Sequence, residues 1–178
     1  MKPIQSIILF VSSLLFSSQV ISYDTLFDIK GKVQASTCIL ESSKIKEVNL
    51  GHISLSNNGF GEQIHSTSEK IDWNITLECP EGLPVILNPR GTAFSGDNTV
   101  LALNPSSDNA KGVGVETQYS VNGSNWSTLE LNKRNTVISA TQNEGEVTLN
   151  FRGYYKQMEK DVFPGTANAT LDLEIVYQ

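Results

Sequence analysis

The chain has 178 residues and 39% of them are hydrophobic, enough for one domain with a real core but not for two full domains. Its 13 basic and 19 acidic side chains leave a formal charge of −6. An acidic surface argues against nucleic acid and against an anionic membrane, since both are bound through clustered Lys and Arg.

The chain opens with Lys2, a short apolar run over residues 7–16, and Val20-Ile21-Ser22. This is the layout of a secretory signal peptide over residues 1–22, with cleavage expected after Ser22. As a membrane anchor, residues 4–21 are barely long enough and carry five serines. Export to an oxidising compartment bears on the two cysteines, Cys38 and Cys79, which are expected to form one disulfide. Closing a loop of that length stabilises by about 4 kcal/mol on the chain-entropy treatment.

Residues 23–33, YDTLFDIKGKV, alternate like a strand. Thr25, Phe27, Ile29, Gly31 and Val33 share one face, and Asp24, Leu26, Asp28, Lys30 and Lys32 the other. A slip of one residue would turn Asp28, Lys30 and Lys32 inward, so charge fixes which face is buried. Phe27, Ile29 and Val33 would each gain about 1.5–3 kcal/mol on full burial. No neighbouring segment looks like a hairpin partner. Two readings stand: an ordinary first strand of the chain's own sandwich, or a strand added to the open sheet edge of another molecule.

The period of two continues along the chain. KEVNL, residues 46–50, is a short strand candidate, and polar residues 50–69 read mostly as loop. SEKIDWNITLEC places Ile71, Trp73, Ile75, Leu77 and Cys79 on one face and charged or polar residues on the other. LPVILN, TVLALN, VGVETQYSV and STLELN are further candidates, with Asn122-Gly123 as a hairpin turn. GEVTLNFRGYY turns Val147, Leu149, Phe151, Gly153 and Tyr155 inward, which puts Tyr154 on the outer face as the surface member of its pair. ATLDLEIVYQ turns Ala169, Leu171, Leu173, Ile175 and Tyr177 inward. Short strands with evenly spaced turn residues and no sustained helical period predict an antiparallel sandwich.

Catalytic signals are weak. His52 and His65 fall in the polar loop region and read as solvated histidines, without ligand spacing to either cysteine. No glycine loop suited to phosphate is present. Trp126 and Tyr119 flank the hairpin tip; packing at the end of a sandwich explains them better than a sugar platform.

The C-terminal residues resemble those of chaperone–usher fimbrial subunits, the pilins of Gram-negative bacteria. The chain ends in an alternating strand with Tyr177 penultimate, and Gly165 stands fourteenth from the end. Cys38 and Cys79 have the spacing that in this family ties the first strand to the second. NLG after the first cysteine, WNITLEC leading into the second, KGVGVE at residues 111–116 and FRGYYK at residues 151–156 are similar to family segments. DTLFDIKGKVQASTC looks like the donor strand of a minor, tip-adaptor subunit of type 1 pili, with Gly31 at the donor glycine.

The resemblance implies an all-β, incomplete immunoglobulin-like β-sandwich that a donor strand from another chain completes. The organisation would be a signal peptide at 1–22, a donor-strand extension at 23–36 and a pilin domain at 37–178. The donor strand would present Thr25, Phe27, Ile29, Gly31 and Val33. The groove and chaperone-binding strand would comprise Gly165, Ala169, Leu171, Leu173, Ile175, Tyr177 and Gln178. The implied partners are a periplasmic pilus chaperone, an outer-membrane usher and neighbouring pilin subunits, with no cofactor, metal, nucleic acid or small-molecule substrate. The implied function is structural, with a contribution to cell adhesion and no enzyme activity, by export to the periplasm and then to surface fimbriae. The alternatives are a single-domain adhesin and a self-contained secreted sandwich that binds a partner.

Overall fold

The computed structural model describes residue 30, residues 37–55 and residues 60–177. The predicted signal peptide, the donor residues Thr25, Phe27, Ile29, Gly31 and Val33, and Gln178 lie outside the described residues. Ala35–Gln178 forms one compact unit.

The strands in chain order are β1 (Ile39–Leu40), β2 (Ile71–Cys79), β3 (Val85–Arg90), β4 (Ala93–Phe94) and β5 (Asp97–Leu101). They continue as β6 (Val113–Ser120), β7 (Ser127–Thr128), β8 (Asn135–Ile138), β9 (Gly145–Gln157) and β10 (Asp172–Val176). One sheet runs β1-β2-β9-β6-β5-β4, with β7 also on β6; the other runs β10-β3-β8. All strand pairs are antiparallel.

The long strand β9 is the spine of the larger sheet. It pairs with all of β2, from Ile71 opposite Gly153 to Cys79 opposite Gly145, and with all of β6 on its other edge. The alternation dictates the core. Ile75, Leu77 and Cys79 of β2 and Leu149 and Phe151 of β9 are buried against Val85 and Leu87 of β3. Each such side chain contributes about 1.5–3 kcal/mol by leaving water. Trp73 stacks on Phe151 with ring centroids 5.9 Å apart. Buried Gln157 closes the far end of β9: its Oε1 accepts from the Gly61 amide at 2.8 Å and the Ser66 hydroxyl at 3.0 Å, tying down the polar loop.

Several expectations need correction. Residues 46–50 form no strand; Lys46 and Glu47 are exposed there while Val48 and Leu50 are half-buried. STLELN pairs as a strand only at Ser127–Thr128. It then bends away, with the Leu129 amide on the Thr117 carbonyl and the Leu131 amide on that of Asn98. Tyr154, on the outer face, is the more buried of its pair at 4% exposure. Its hydroxyl donates to Glu116 at 2.6 Å, and Lys70 lies over its ring. Lys156 pairs with the same Glu116 carboxylate at 2.6 Å. Trp126 is part of this outer-face packing, with the Arg152 guanidinium 4.2 Å above its ring. Asn122 does make the hairpin turn, its side-chain oxygen accepting from the amides of Ser124 and Asn125.

Candidate functional site

The C-terminal strand β10 has β3 on one edge, from Asp172 opposite Arg90 to Val176 opposite Ile86. Among the described residues no strand pairs with its other edge. A row of backbone donors and acceptors along such an edge is a template for another strand.

Beside that edge runs a groove of about 1320 Å³. Leu171, Leu173 and Ile175 form one wall, and residues 43–55, with Ile45, Leu50, Ile53 and Leu55, form the other. The floor is the inner face of the larger sheet: Trp73 and Ile75 from β2, Phe151, Gly153 and Tyr155 from β9. Gly153 makes room for the floor's largest side chain, since a Cβ there would lie 3.1 Å from the Trp73 ring. Rim residues stay in water, Ile45 at 79% and Phe163 at 56% exposure. The inward residues of β10 pack on the core yet remain only half-buried.

A strap leads into β10 and fixes where that wall stands. The Thr166 amide donates to the Asp108 carbonyl at 2.8 Å, and the Ala110 amide to the Thr166 carbonyl at 2.9 Å. The Thr166 hydroxyl donates to the Asp108 carboxylate at 2.8 Å, and Lys111 and Phe163 exchange backbone bonds. The Asn104 amide donates to the Asn168 carbonyl and the Tyr155 hydroxyl to that of Ala167. Gly165 sits at the closest approach: a Cβ there would lie 2.4 Å from the Ala110 nitrogen and the Asp108 oxygen. The Ser106 and Thr166 hydroxyls hold the Asp108 carboxyl below the usual carboxylate range.

The predicted groove residues therefore separate into three groups. Leu173 and Ile175 lie in β10 and line the groove. Gly165, Ala169 and Leu171 also line it, but precede the strand, with Gly165 in the strap rather than on the β-edge. Tyr177 packs on the core without lining the groove, and burial raises its phenol pKa. Trp73, Phe151 and the wall at residues 43–55 were not anticipated as groove residues. The inward faces of Trp73 and Phe151 were legible, but nothing in their spacing marks an uncovered stretch of that face.

On the outer face of β10, Glu174 accepts from Arg90 at 2.9 Å and from Asn88 at 2.6 Å, which lowers its pKa. Cys38 and Cys79 are bonded, joining the segment before β1 to the end of β2. Among the described residues no group of three His, Cys, Asp or Glu side chains is placed to hold a metal. The site is an apolar slot beside a β-edge that no described strand pairs, a geometry suited to an extended chain.

The family described as Fimbrial protein matches residues 27–178. No curated protein sequence matches the chain. Among solved structures, the fold resembles a chaperone–usher pilus protein from a study of rod uncoiling, at TM-score 0.58 and 17% identity, covering 88% of this chain and 100% of that one. It resembles the P pilus rod subunit PapA at TM-score 0.57 and 18% identity, covering 79% of this chain and 99% of that one. The antigen and type I fimbria protein of Burkholderia pseudomallei aligns at TM-score 0.54 and 23% identity, covering 79% and 88% of the two chains. An all-β pilin-like sandwich and a family match over most of the sequence agree: the chain belongs to the fimbrial protein family.

Proposed function

We propose that this chain is a structural subunit of a chaperone–usher fimbria whose sandwich is completed by an extended strand from another molecule, laid beside β10. The observation that carries this reading is the half-burial of Leu171, Leu173 and Ile175 along an edge that no described strand covers. A donor such as Phe27, Ile29 and Val33 brings on the order of 5–9 kcal/mol of transfer free energy before ordering costs. The ladder bonds along β10 add to it. The slot exposes apolar surface until it is filled, so a periplasmic chaperone would occupy it first and an outer-membrane usher would exchange that strand for a subunit's extension. Residues 23–36 are the chain's own donor extension, and its short lead with Gly31 favours a minor, tip-adaptor place in the fibre. Work at the cell surface, in adhesion, follows from that place.

The test is uptake of a donor peptide. A labelled peptide of residues 23–34 should enter the chain and stay bound through electrophoresis in cold detergent, and Phe27→Asp with Ile29→Asp in the peptide should abolish this. A monomer that takes up no peptide and protects its own Phe27 and Ile29 amides from exchange would refute the proposal.

A further inference from the structure

The outer face of the larger sheet holds a cation that its neighbours orient without neutralising. Asp72 of β2, Arg152 of β9 and Gln118 of β6 stand in register across three strands. Arg152 turns to Gln118: its Nε donates to the Gln118 side-chain oxygen at 2.6 Å, and its guanidinium carbon lies 4.2 Å over the Trp126 ring. Among the described residues it makes no ion pair, although exposed Asp72 is directly opposite. Within that same set its two Nη groups bond to nothing. Stacking and the Gln118 bond have already taken up the side chain's rotamer freedom, and the Nη pair presents the parallel donors that a carboxylate accepts bidentately. Covered by Arg152, the Trp126 ring is the backing of a cation and not a bare sugar platform.

We infer that Arg152 anchors a site for a sugar carboxylate, the acid group of a sialic or uronic acid residue. The surroundings select that class. Lys70, Arg152 and Lys156 outnumber Asp72 and Glu116 on this part of the face, and Glu116 is taken by Lys156 and Tyr154. One anion is therefore favoured, whereas a polyanion would meet Asp72 and the chain's overall charge of −6. Asn74 and Asn150 face each other one row away on the same side, and with Asp72 they offer amide donors and oxygen acceptors to sugar hydroxyls. An acidic peptide fits less well. β9 is paired along both edges, so its backbone has no ladder bonds left to give an extended chain. The groove lies on the opposite, inner face of this sheet, so the site stays open when the groove is filled.

The test is saturation-transfer NMR on the assembled full mature chain with N-acetylneuraminic acid, galacturonic acid, galactose and an acidic tripeptide. One or both acids should bind, at least about tenfold more tightly than galactose, and a response to only one of them identifies the sugar. No binding of either acid up to about 10 mM would overturn the site. Galactose binding as tightly would overturn the carboxylate as anchor, and the tripeptide binding as tightly would overturn the sugar. Arg152→Lys keeps the charge but loses the fork, and should weaken binding by about tenfold to a hundredfold. Gln118→Glu keeps the shape but gives Arg152 a carboxylate within the chain, and should weaken binding to a similar degree. Thermal melts that match the parent show that each variant is folded. Undiminished binding in a folded variant of either kind would overturn the role given to Arg152.

Discussion

Gly165→Ala is the sharpest test of how the groove wall is held. The added Cβ would lie 2.4 Å from the Ala110 nitrogen, 2.4 Å from the Asp108 oxygen and 2.5 Å from the Asn109 carbonyl carbon. Ordinary contact needs about 1 Å more, and all three atoms belong to the backbone, so no rotamer change relieves the clash. The strap must move off residues 108–110. That breaks the Ala110-to-Thr166 and Thr166-to-Asp108 bonds, worth about 0.5–1.5 kcal/mol each. Overpacking adds about 1–3 kcal/mol. The total is on the order of 2–6 kcal/mol, or about 5–20 °C in Tm for a domain of this size.

The assay is calorimetry of the assembled chain, with Gly123→Ala as its companion. Gly123 has φ +70° but open space around it, so alanine there costs only the left-handed backbone, about 1–2 kcal/mol. Gly165→Ala should lose clearly more, and should also slow uptake of the donor peptide because the strap runs into β10. Equal losses at the two sites would refute the steric reasoning.

Three further outcomes follow from the same geometry. Removing the Cys38–Cys79 bridge, which spans a sequence separation of 41, should cost about 4 kcal/mol, read as a lowered denaturant midpoint in the Cys38→Ser, Cys79→Ser chain. Burial pushes the Glu116 carboxyl up, but the Lys156 and Tyr154 hydrogen bonds outweigh it and hold the pKa below its ordinary 4.5. A depressed folded-state pKa contributes stability above the unfolded value and loses it as pH falls through the folded one. The chain should therefore weaken progressively below about pH 4.5, with Asp97, held down by Thr99, adding in the same direction. Glu116→Gln should flatten that acid limb in a pH series of thermal melts while lowering stability at neutral pH, where Lys156 loses its partner. Leu173→Asp places a charge on the groove wall that strand addition would bury, so peptide uptake should fall by at least about a hundredfold, measured by retention in cold detergent.

The two strands that build the core were legible because their alternation is answered on both sides. Ile75, Leu77 and Cys79 point inward as their spacing requires, and β9 matches them residue for residue. Elements made by tertiary context were not legible. β1 and β4 are two residues each, too short to show any period. Val48 and Leu50 alternate like a strand, yet they line a wall instead of joining a sheet. Tyr154 was assigned to the surface by parity, which holds for its direction. It fails for its burial, because Lys70 and Glu116 cover the outer face there.

The groove itself lies beyond what periodicity can report. An alternating pattern says which face of a strand meets the core and nothing about which edge is paired. Leu77 in β2 and Leu173 in β10 have the same inward spacing, but Leu77 is buried and Leu173 stops halfway. Their lateral neighbours account for the difference: β2 lies between β1 and β9, whereas among the described residues β10 has β3 alone. Half-burial at Leu171, Leu173 and Ile175 is therefore an edge effect and not a weak core. It follows that a strand on that edge should complete their burial without repacking Leu87 or Phe151 beneath them. Strand addition should then protect β10 amides from hydrogen exchange far more than those of β9, and equal gains in both strands would mean that the core itself had reorganised.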